Sequence, residues 1–542
     1  MTRVVEQFES FFKKMNRAIK IYESSIVEKA GAVFFMIREN LERKLVVVYP
    51  PKEAITVIDD FVQEETGEIA TTEGTLSYKV CPTNHRNASA LRRWFPFTKP
   101  RVIGLTPAIG TGDRIGLATP GHIHAARKYG VLPVLAQQSI REMTRTLRSP
   151  RDVIDDVSWA VFQEGYEDGF AADADHLKTE KDVDETFKAG FTMYTIDPSE
   201  LVDDEADHYN LDTLRERFKK LPWKDLECRD EDYLRMYQGR EFKVQSDDER
   251  HTLKITFPEE DLLRAAVKYS AAIAHTARLK RRLDELFKGR EYDLEISVDE
   301  TSAPTKPSEH LFIALELRML NIHIQGLALR FVGEFEKAID YIGDLEEFER
   351  TLCDHVLIAR NFGPYKISIH SGSDKFSIYP ILGRFARDMV HLKTAGTSYL
   401  ESLRIIARHD PSLFREIVHY SIQNYEKDRK TYHIGTELSM IPNVDEVPDE
   451  DLERTFLDDD HGRQVLHVTF GSVLTAKTEE EKWLFRGRIR KVLIENEEEY
   501  YQTISKHIGR HIIAIWPQKQ EDSNSRSKSR LKSEGKVASS SP

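Results

Sequence analysis

The pattern of polar and apolar positions changes character twice along the chain. At the amino end Phe8, Phe11, Phe12, Met15 and Ile19 recur at three- and four-residue spacing, which predicts helix through residues 1–45. A strand-like run, LVVVY (45–49), follows and stops at Pro50-Pro51. From residue 101 short β-rich runs alternate with stretches able to form amphipathic helices. The runs are RVIGLT (101–106), VLPVLA (131–136), GFAADAD (169–175), FTMYTID (191–197), YDLEISVD (292–299), QGLALRF (325–331), YKISIH (365–370) and VHLKT (390–394). Strand–helix alternation implies right-handed crossovers and a parallel sheet. Eight such units over roughly 300 residues point to an α/β fold, a (β/α)8 TIM-like barrel over 101–410, although doubly wound sheets also alternate.

Three further segments complete the reading. Residues 1–100 form an N-terminal α/β cap. An acidic insert (198–258) interrupts the barrel, and the Pro258-Glu259-Glu260-Asp261 sequence after it makes a good helix start. Residues 411–518 read as a mostly helical extension, broken by one strand-like run, VLHVTFGSVL (465–474). The Ser-, Lys- and Arg-rich tail 519–542 has almost no apolar residues and is expected to be disordered. No repeat of fixed period is present.

Composition narrows the classes. The chain has 542 residues, 78 basic against 91 acidic, for a net charge of −13, with 40% hydrophobic and 31% charged residues. That is globular composition, and its acidity argues against a nucleic-acid binder. No run approaches the ~18 apolar residues of a membrane span, and MTRVVEQFESFFKKMNRAIK is not a secretory signal. Cys81, Cys228 and Cys353 are far apart and odd in number, which supports neither a disulfide framework nor a thiolate metal site. A reducing, cytoplasmic setting fits.

In a parallel barrel the chemistry sits where strands end and βα loops begin. The third strand ends in Asp173, Asp175, His176 and Lys178, the fifth in Asp299 and Glu300. The seventh ends in His370, Ser371, Asp374 and Lys375, and the eighth carries His391, Lys393 and Thr394. Residues i and i+2 of a strand share a face, so Asp173 pairs with Asp175 and His391 with Lys393. A single strand-end His is commonly structural; four strands delivering polar groups to one mouth point to a site. Imidazoles and carboxylates without thiolates suit a divalent cation such as Mn, Co, Ni or Zn. His323 precedes its strand and is left out, and the H-x-H of His122 and His124 is weak. Gly110, Gly112 and Gly116 are spaced G-x-G-x-x-x-G, one residue off the dinucleotide fingerprint, with no acidic residue closing the next strand.

Seven motifs in order carry a resemblance: CPTNHRNASALRRWFPFTKP, ADADHLKT, FTMYTIDPS, VDETSAPTKPSEH, GLALRFVGEFEKAIDYIGD, YKISIHSGSDKFSIYP and HLKTAGTSYLE. Together, from about residue 80 to about 440, they resemble the bacterial tagaturonate epimerase family. The resemblance implies a metal-dependent barrel that interconverts D-tagaturonate and D-fructuronate in galacturonate catabolism. It implies that Asp175 and Glu300 act as the acid–base pair, with His176, His370 and His391 as metal ligands. Such a ketohexuronate needs cations for its carboxylate, for which Lys178, Arg330, Lys375 and Lys393 are candidates. Ser371 and Thr394 are candidates for its hydroxyls. The two sugars differ at the carbon β to the ketone, whose C–H that carbonyl does not acidify. A retro-aldol route is therefore expected, with hydride transfer through a nicotinamide as the alternative. A sugar isomerase or class II aldolase, or a non-catalytic sugar-binding barrel, are the competing readings. No membrane or nucleic-acid partner is expected, and a homo-oligomer is compatible with the sequence.

Overall fold

The structure, a computed structural model, describes residues 1–51, 56–71, 74–246 and 251–517. The tail 519–542 expected to be disordered lies outside the described residues.

The amino-terminal helix is shorter than its periodicity predicts. It spans Thr2–Lys14 and ends where Asn16 turns left-handed at φ 62°. The chain then enters an antiparallel sheet of β1 (Ile19–Lys29), β2 (Ala32–Glu39), β3 (Glu42–Tyr49), β4 (Glu65–Thr71) and β5 (Gly74–Pro82), ordered β1-β2-β3-β5-β4. Helix through residue 45 is thus corrected to one helix and two strands. The reason is visible in β2, which is covered on both faces. Phe34 and Met36 pack with Trp159 and Phe162, whereas Val33, Phe35 and Ile37 pack with Phe8 and Phe12. A strand buried on both sides is apolar without alternation and gives no period-two signal.

The second sheet is entirely parallel and positions the site. Its strands are β6 (Ala108–Gly110), β7 (Leu132–Val134), β8 (Gln138–Ser139), β9 (Asp173–Leu177), β10 (Met193–Ile196), β13 (Asp293–Ser297), β14 (Gly326–Ala328), β15 (Lys366–Ile369) and β16 (Val390–Lys393). Between β10 and β13 a hairpin of β11 (Glu241–Gln245) and β12 (Thr252–Thr256) belongs to the insert. The order is β7-β6-β16-β15-β14-β13-β10-β9-β8. The two end strands, β7 and β8, are pieces of one run of chain, and a bridge from Val134 to Ala171 joins them to the far edge. The sheet therefore curls upon itself as a TIM-like barrel does.

Seven of the eight predicted strands overlap these elements; the first does not. Residues 101–106 form no strand of the sheet and turn at Gly104–Leu105, where the Thr106 amide reaches the Ile103 carbonyl; the strand begins at Ala108. Gly104 at φ 55° and Pro107 break the run, while the Asp293 carboxylate holds the amides of Ile103 and Gly104. The strand-like 465–474 run is also corrected. It forms the end of a helix, Asp460–Val468, and a second helix, Phe470–Thr475. Asp459 caps the first through the amides of His461 and Gly462. A short apolar run enclosed by other elements has no period that separates helix from strand.

Pro258 does start a helix, Glu259–Phe287, with three carboxylates in its first turn. One apolar cluster runs from Ile109 to Ile515 and includes Tyr233 and Phe257 of the insert, so barrel, insert and extension share a core. The last helix, Glu497–Ile515, lies hard against Thr119–Tyr129. A Cβ at Gly121 would come 2.6 Å from Ile504 Cβ and 2.9 Å from the Tyr501 carbonyl. Only glycine permits that approach.

Candidate active site

The strands of the parallel sheet are polar on one face and apolar on the other. Asp173 and Asp175, Thr195, Glu295 and Ser297, Ser368, and His391 and Lys393 alternate with Ala174, Ile196, Leu294, Ile296, Ile367, Ile369 and Leu392. The polar set is buried, so its members must satisfy one another. Lys393 Nζ does most of this, donating to Asp173 Oδ2 at 2.8 Å, Asp175 Oδ1 at 2.7 Å and Thr195 Oγ1 at 2.9 Å. It also lies 2.8 Å from Glu295 Oε1. Three carboxylates around one ammonium hold its pKa well above the ordinary value despite burial. Burial opposes ionisation of Asp175, but His176 and Lys393 outweigh it and hold the carboxyl well below the usual range. Asp173 goes the other way, raised by burial.

Above this layer three groups converge. Ligand atoms of Asp175, His176 and His370 all lie within 4.8 Å of one another. A register shift produces the arrangement. Tyr194 pairs with Ala174 but Ile196 with Leu177, so β9 carries one extra residue and bulges at Asp175 and His176. A bulge re-aims side chains, and here it sends two consecutive ones to the mouth. His176 (φ 55°) and Ser371 (φ 51°) both hold left-handed backbone, a conformation that costs non-glycine residues energy. His176 Nδ1 is 3.0 Å from Asp175 Oδ1, yet this buried nitrogen makes no hydrogen bond. Two imidazoles and a carboxylate that converge, with no thiol nearby, fit a divalent cation.

A support lies behind them. Glu295 accepts from His370 Nε2 at 2.8 Å and from His391 Nδ1 at 3.2 Å. Asp299 lies 3.3 Å from His370 Nδ1. Against burial, Asp299 and Glu295 raise the His370 imidazole to about 10. Carboxylates behind imidazoles orient the ring and raise its basicity. Glu295→Gln is expected to weaken divalent-metal affinity by roughly 10- to 100-fold, checked by titration with Mn or Co; unchanged affinity would exclude this support.

The sequence-derived candidates divide. Asp175, His176, Glu300, His370, Ser371 and Lys393 line one pocket. Glu300 is 40% exposed there, with His176 Nε2 3.9 Å and Arg141 3.7 Å away. His391 is buried below, outside the converging group, with Nε2 unpaired beside Gln137. Lys178 turns to Glu200 at 2.7 Å, and Arg330 to Glu334 at 2.9 Å. Lys375 donates to the carbonyls of Glu336, Ile339 and Ser373, and its burial lowers its pKa to about 7. Thr394 donates to the Gly110 carbonyl at 2.8 Å. None of these four lines the pocket. His323 is exposed, and His122 and His124 pair with Ser398 and Glu164.

The glycine-rich loop does not offer amides to a phosphate. Asp113 accepts from the backbone of Ile115, Gly116, Ala118 and Thr119 instead. A second converging group, Asp374, His507 and His511, is likewise satisfied internally. His511 accepts from the Asp374 amide and donates to the His507 carbonyl, and Arg463 pairs with Asp374 at 2.6 Å. It ties the last helix to the loop after β15.

Sequence reasoning missed Glu295, Asp299 as partner of His370, and the pocket cations Arg114, Arg141 and Lys337. Glu295 had a signal: in YDLEISVD, Asp293, Glu295, Ser297 and Asp299 alternate with apolar residues inside a buried strand. The three cations had none.

A tagaturonate epimerase family model matches residues 22–515. A tagaturonate/fructuronate epimerase of Thermotoga maritima is 43% identical over 509 residues, covering 94% of this chain and 99% of that one. The glycerol-bound crystal structure of a fructuronate–tagaturonate epimerase from Cohnella laeviribosi is 37% identical, with a TM-score of 0.84 over 95% of this chain and 99% of that one. Its native form gives a TM-score of 0.83 over 94% of this chain. The chain is an isomerase-class enzyme and belongs to the tagaturonate epimerase family.

Proposed function

We propose that this enzyme interconverts D-tagaturonate and D-fructuronate at the carbon β to the ketone, by retro-aldol and aldol steps. The observation that carries the reading is the Asp175–His176–His370 group at the strand ends, in a chain 43% identical to a tagaturonate/fructuronate epimerase. The retro-aldol step breaks the bond between the α- and β-carbons. Glu300, the exposed carboxylate of the pocket, takes the proton of the β-hydroxyl. The electron pair moves to the α-carbon and its carbonyl, leaving a three-carbon enediolate and an aldehyde that bears the carboxylate. The aldehyde turns, the bond reforms on its other face, and Glu300 returns the proton.

Asp175, His176 and His370 would hold the divalent cation, with Glu295 and Asp299 behind His370 and Lys393 fixing Asp175. A cation held there supplies Lewis-acid stabilisation to oxygens on which negative charge develops. The acid–base role expected of Asp175 changes in this reading. A carboxylate held well below its usual range is a poor base near neutral pH, and a good ligand. His391 supports from below, through Glu295. The three unpaired cysteines fit a cytoplasmic setting, where we place the enzyme in galacturonate catabolism.

The test is incubation of metal-loaded protein with fructuronate in D₂O, read by NMR. Tagaturonate is expected, with the original hydrogen retained on the inverted carbon and exchange only at the α-carbon. Deuterium at the inverted carbon means direct deprotonation and overturns the route. A primary isotope effect with substrate deuterated there means hydride transfer. Accumulation of free three-carbon products means an aldolase.

A further inference from the structure

The pocket is lined by Asp175, His176, Asp299, Glu300 and His370 together with the cations Arg114, Arg141 and Lys337. The donors of these cations are only partly matched within the protein. Lys337 makes no ion pair among the described residues, and its ammonium donates to the neutral Ser371 hydroxyl. Arg114 gives Nε and Nη2 to Glu142 Oε1 and stacks over Phe470 at 3.6 Å, but its buried Nη1 has no hydrogen-bond partner among the described residues. Arg141 rests 5.4 Å over Tyr432 with Glu300 3.7 Å away. Pocket cations whose donors are incompletely partnered are costly unless something negative completes them.

We infer that Lys337, Arg141 and Arg114 form the subsite for the carboxylate end of the substrate, in the same pocket as the Asp175–His176–His370 group. This rests on the ketohexuronate reading above. In such a substrate the carboxylate carbon is two bonds from the carbon that inverts, so its anchor has to lie in the same pocket as the reacting groups. The four cations first considered for this role include three that are tied up outside it: Lys178 to Glu200, Arg330 to Glu334, and Lys375 to backbone carbonyls. The fourth, Lys393, is enclosed by three carboxylates. Burial and the neighbouring Arg141 lower the Lys337 pKa, and an anion seated beside it would oppose that shift.

The subsite also explains how cleavage leads to inversion rather than loss. After the α–β bond breaks, the carboxylate belongs to the aldehyde fragment. Held at its carboxylate, that fragment keeps one rotatable bond to the aldehyde carbon. Rotation about this bond presents the opposite face while the fragment stays in place.

The experiment is calorimetric titration and steady-state kinetics with fructuronate on the metal-loaded wild type, Lys337→Met, Lys337→Arg and Arg141→Met. Removing one charge-assisted contact is expected to raise Kd and KM roughly 10- to 100-fold in Lys337→Met, with a smaller change in kcat. Lys337→Arg should recover most of the affinity. Binding of the neutral ketohexose, with a hydroxymethyl group in place of the carboxylate, should not respond to Lys337→Met. Equal fructuronate Kd in wild type and Lys337→Met overturns the subsite, as does an equal loss for the neutral sugar. If Lys337→Met does not fold, as read by its melting curve, Lys337→Arg and Arg141→Met decide on the same criterion. A wild type that binds fructuronate without converting it defeats the epimerase reading alone, since the Kd comparison still judges the subsite. A wild type that does not bind fructuronate defeats the subsite.

Discussion

Thorough chelation is expected to abolish turnover, and a divalent ion such as Mn, Co, Ni or Zn to restore it. His370→Ala should produce the same loss permanently. His370 is buried, shares the converging group with Asp175 and His176, and leans on Glu295 at 2.8 Å. Removing its ring takes away one of three donors and leaves Glu295 with a lone imidazole partner, His391, besides Lys393. Metal content by elemental analysis should fall from about one per chain towards zero, while far-ultraviolet circular dichroism stays close to wild type. His323→Ala is the matched control. That side chain is exposed and, among the described residues, bonds only Asn321 at 3.2 Å, so metal and activity should both persist. Full activity in a verified metal-free preparation would end the metal-centred reading, whatever the substrate.

Glu300→Gln is expected to keep both fold and metal and yet lose roughly 10²- to 10⁴-fold in kcat, the scale of losing acid–base assistance. Glu300 sits on the loop after β13, 40% exposed, and its nearest charged groups are His176 at 3.9 Å and Arg141 at 3.7 Å. Neither distance is a hydrogen bond, so no internal partner is orphaned by the amide and the melting temperature should hardly move. The contrast with Asp175→Asn is informative. Asp175 accepts from Lys393 at 2.7 Å and from Gln137 at 3.2 Å, and it belongs to the donor group. An amide there should reduce metal content as well as rate. A Glu300→Gln variant with near wild-type kcat removes Glu300 from the acid–base role; one that loses metal makes Glu300 a ligand.

The strand periods and the polar residues at their ends make the parallel barrel legible in the sequence. They also brought Asp175, His176, Glu300 and His370 forward as one mouth. These are local signals: side chains alternate along a strand, and a βα loop starts where the alternation stops. The same locality explains the errors. In β2 both faces are buried, so the alternation that marks a strand is erased, and the Phe spacing upstream read on as helix. In 465–474 the enclosing helices bury the run on every side, and an apolar stretch of that length fits either period.

Tertiary structure alone decided which polar groups meet. Lys178, Arg330 and Lys375 occupy strand ends as suitable as that of Lys393, but each finds a partner nearer than the pocket: Glu200, Glu334 and the loop carbonyls. Arg114 and Lys337 lie on two loops and Arg141 on the short helix Ile140–Thr146; they share no spacing in the sequence, yet they line one pocket. The bulge at Asp175 and His176 is a relation between β9 and β10, visible only in their register. Sequence fixes a side chain's chemistry and, through local period, which way it faces. Which charges lie within reach of one another depends on chain segments far apart, 220 residues in the case of Asp173 and Lys393, and only folding sets that distance.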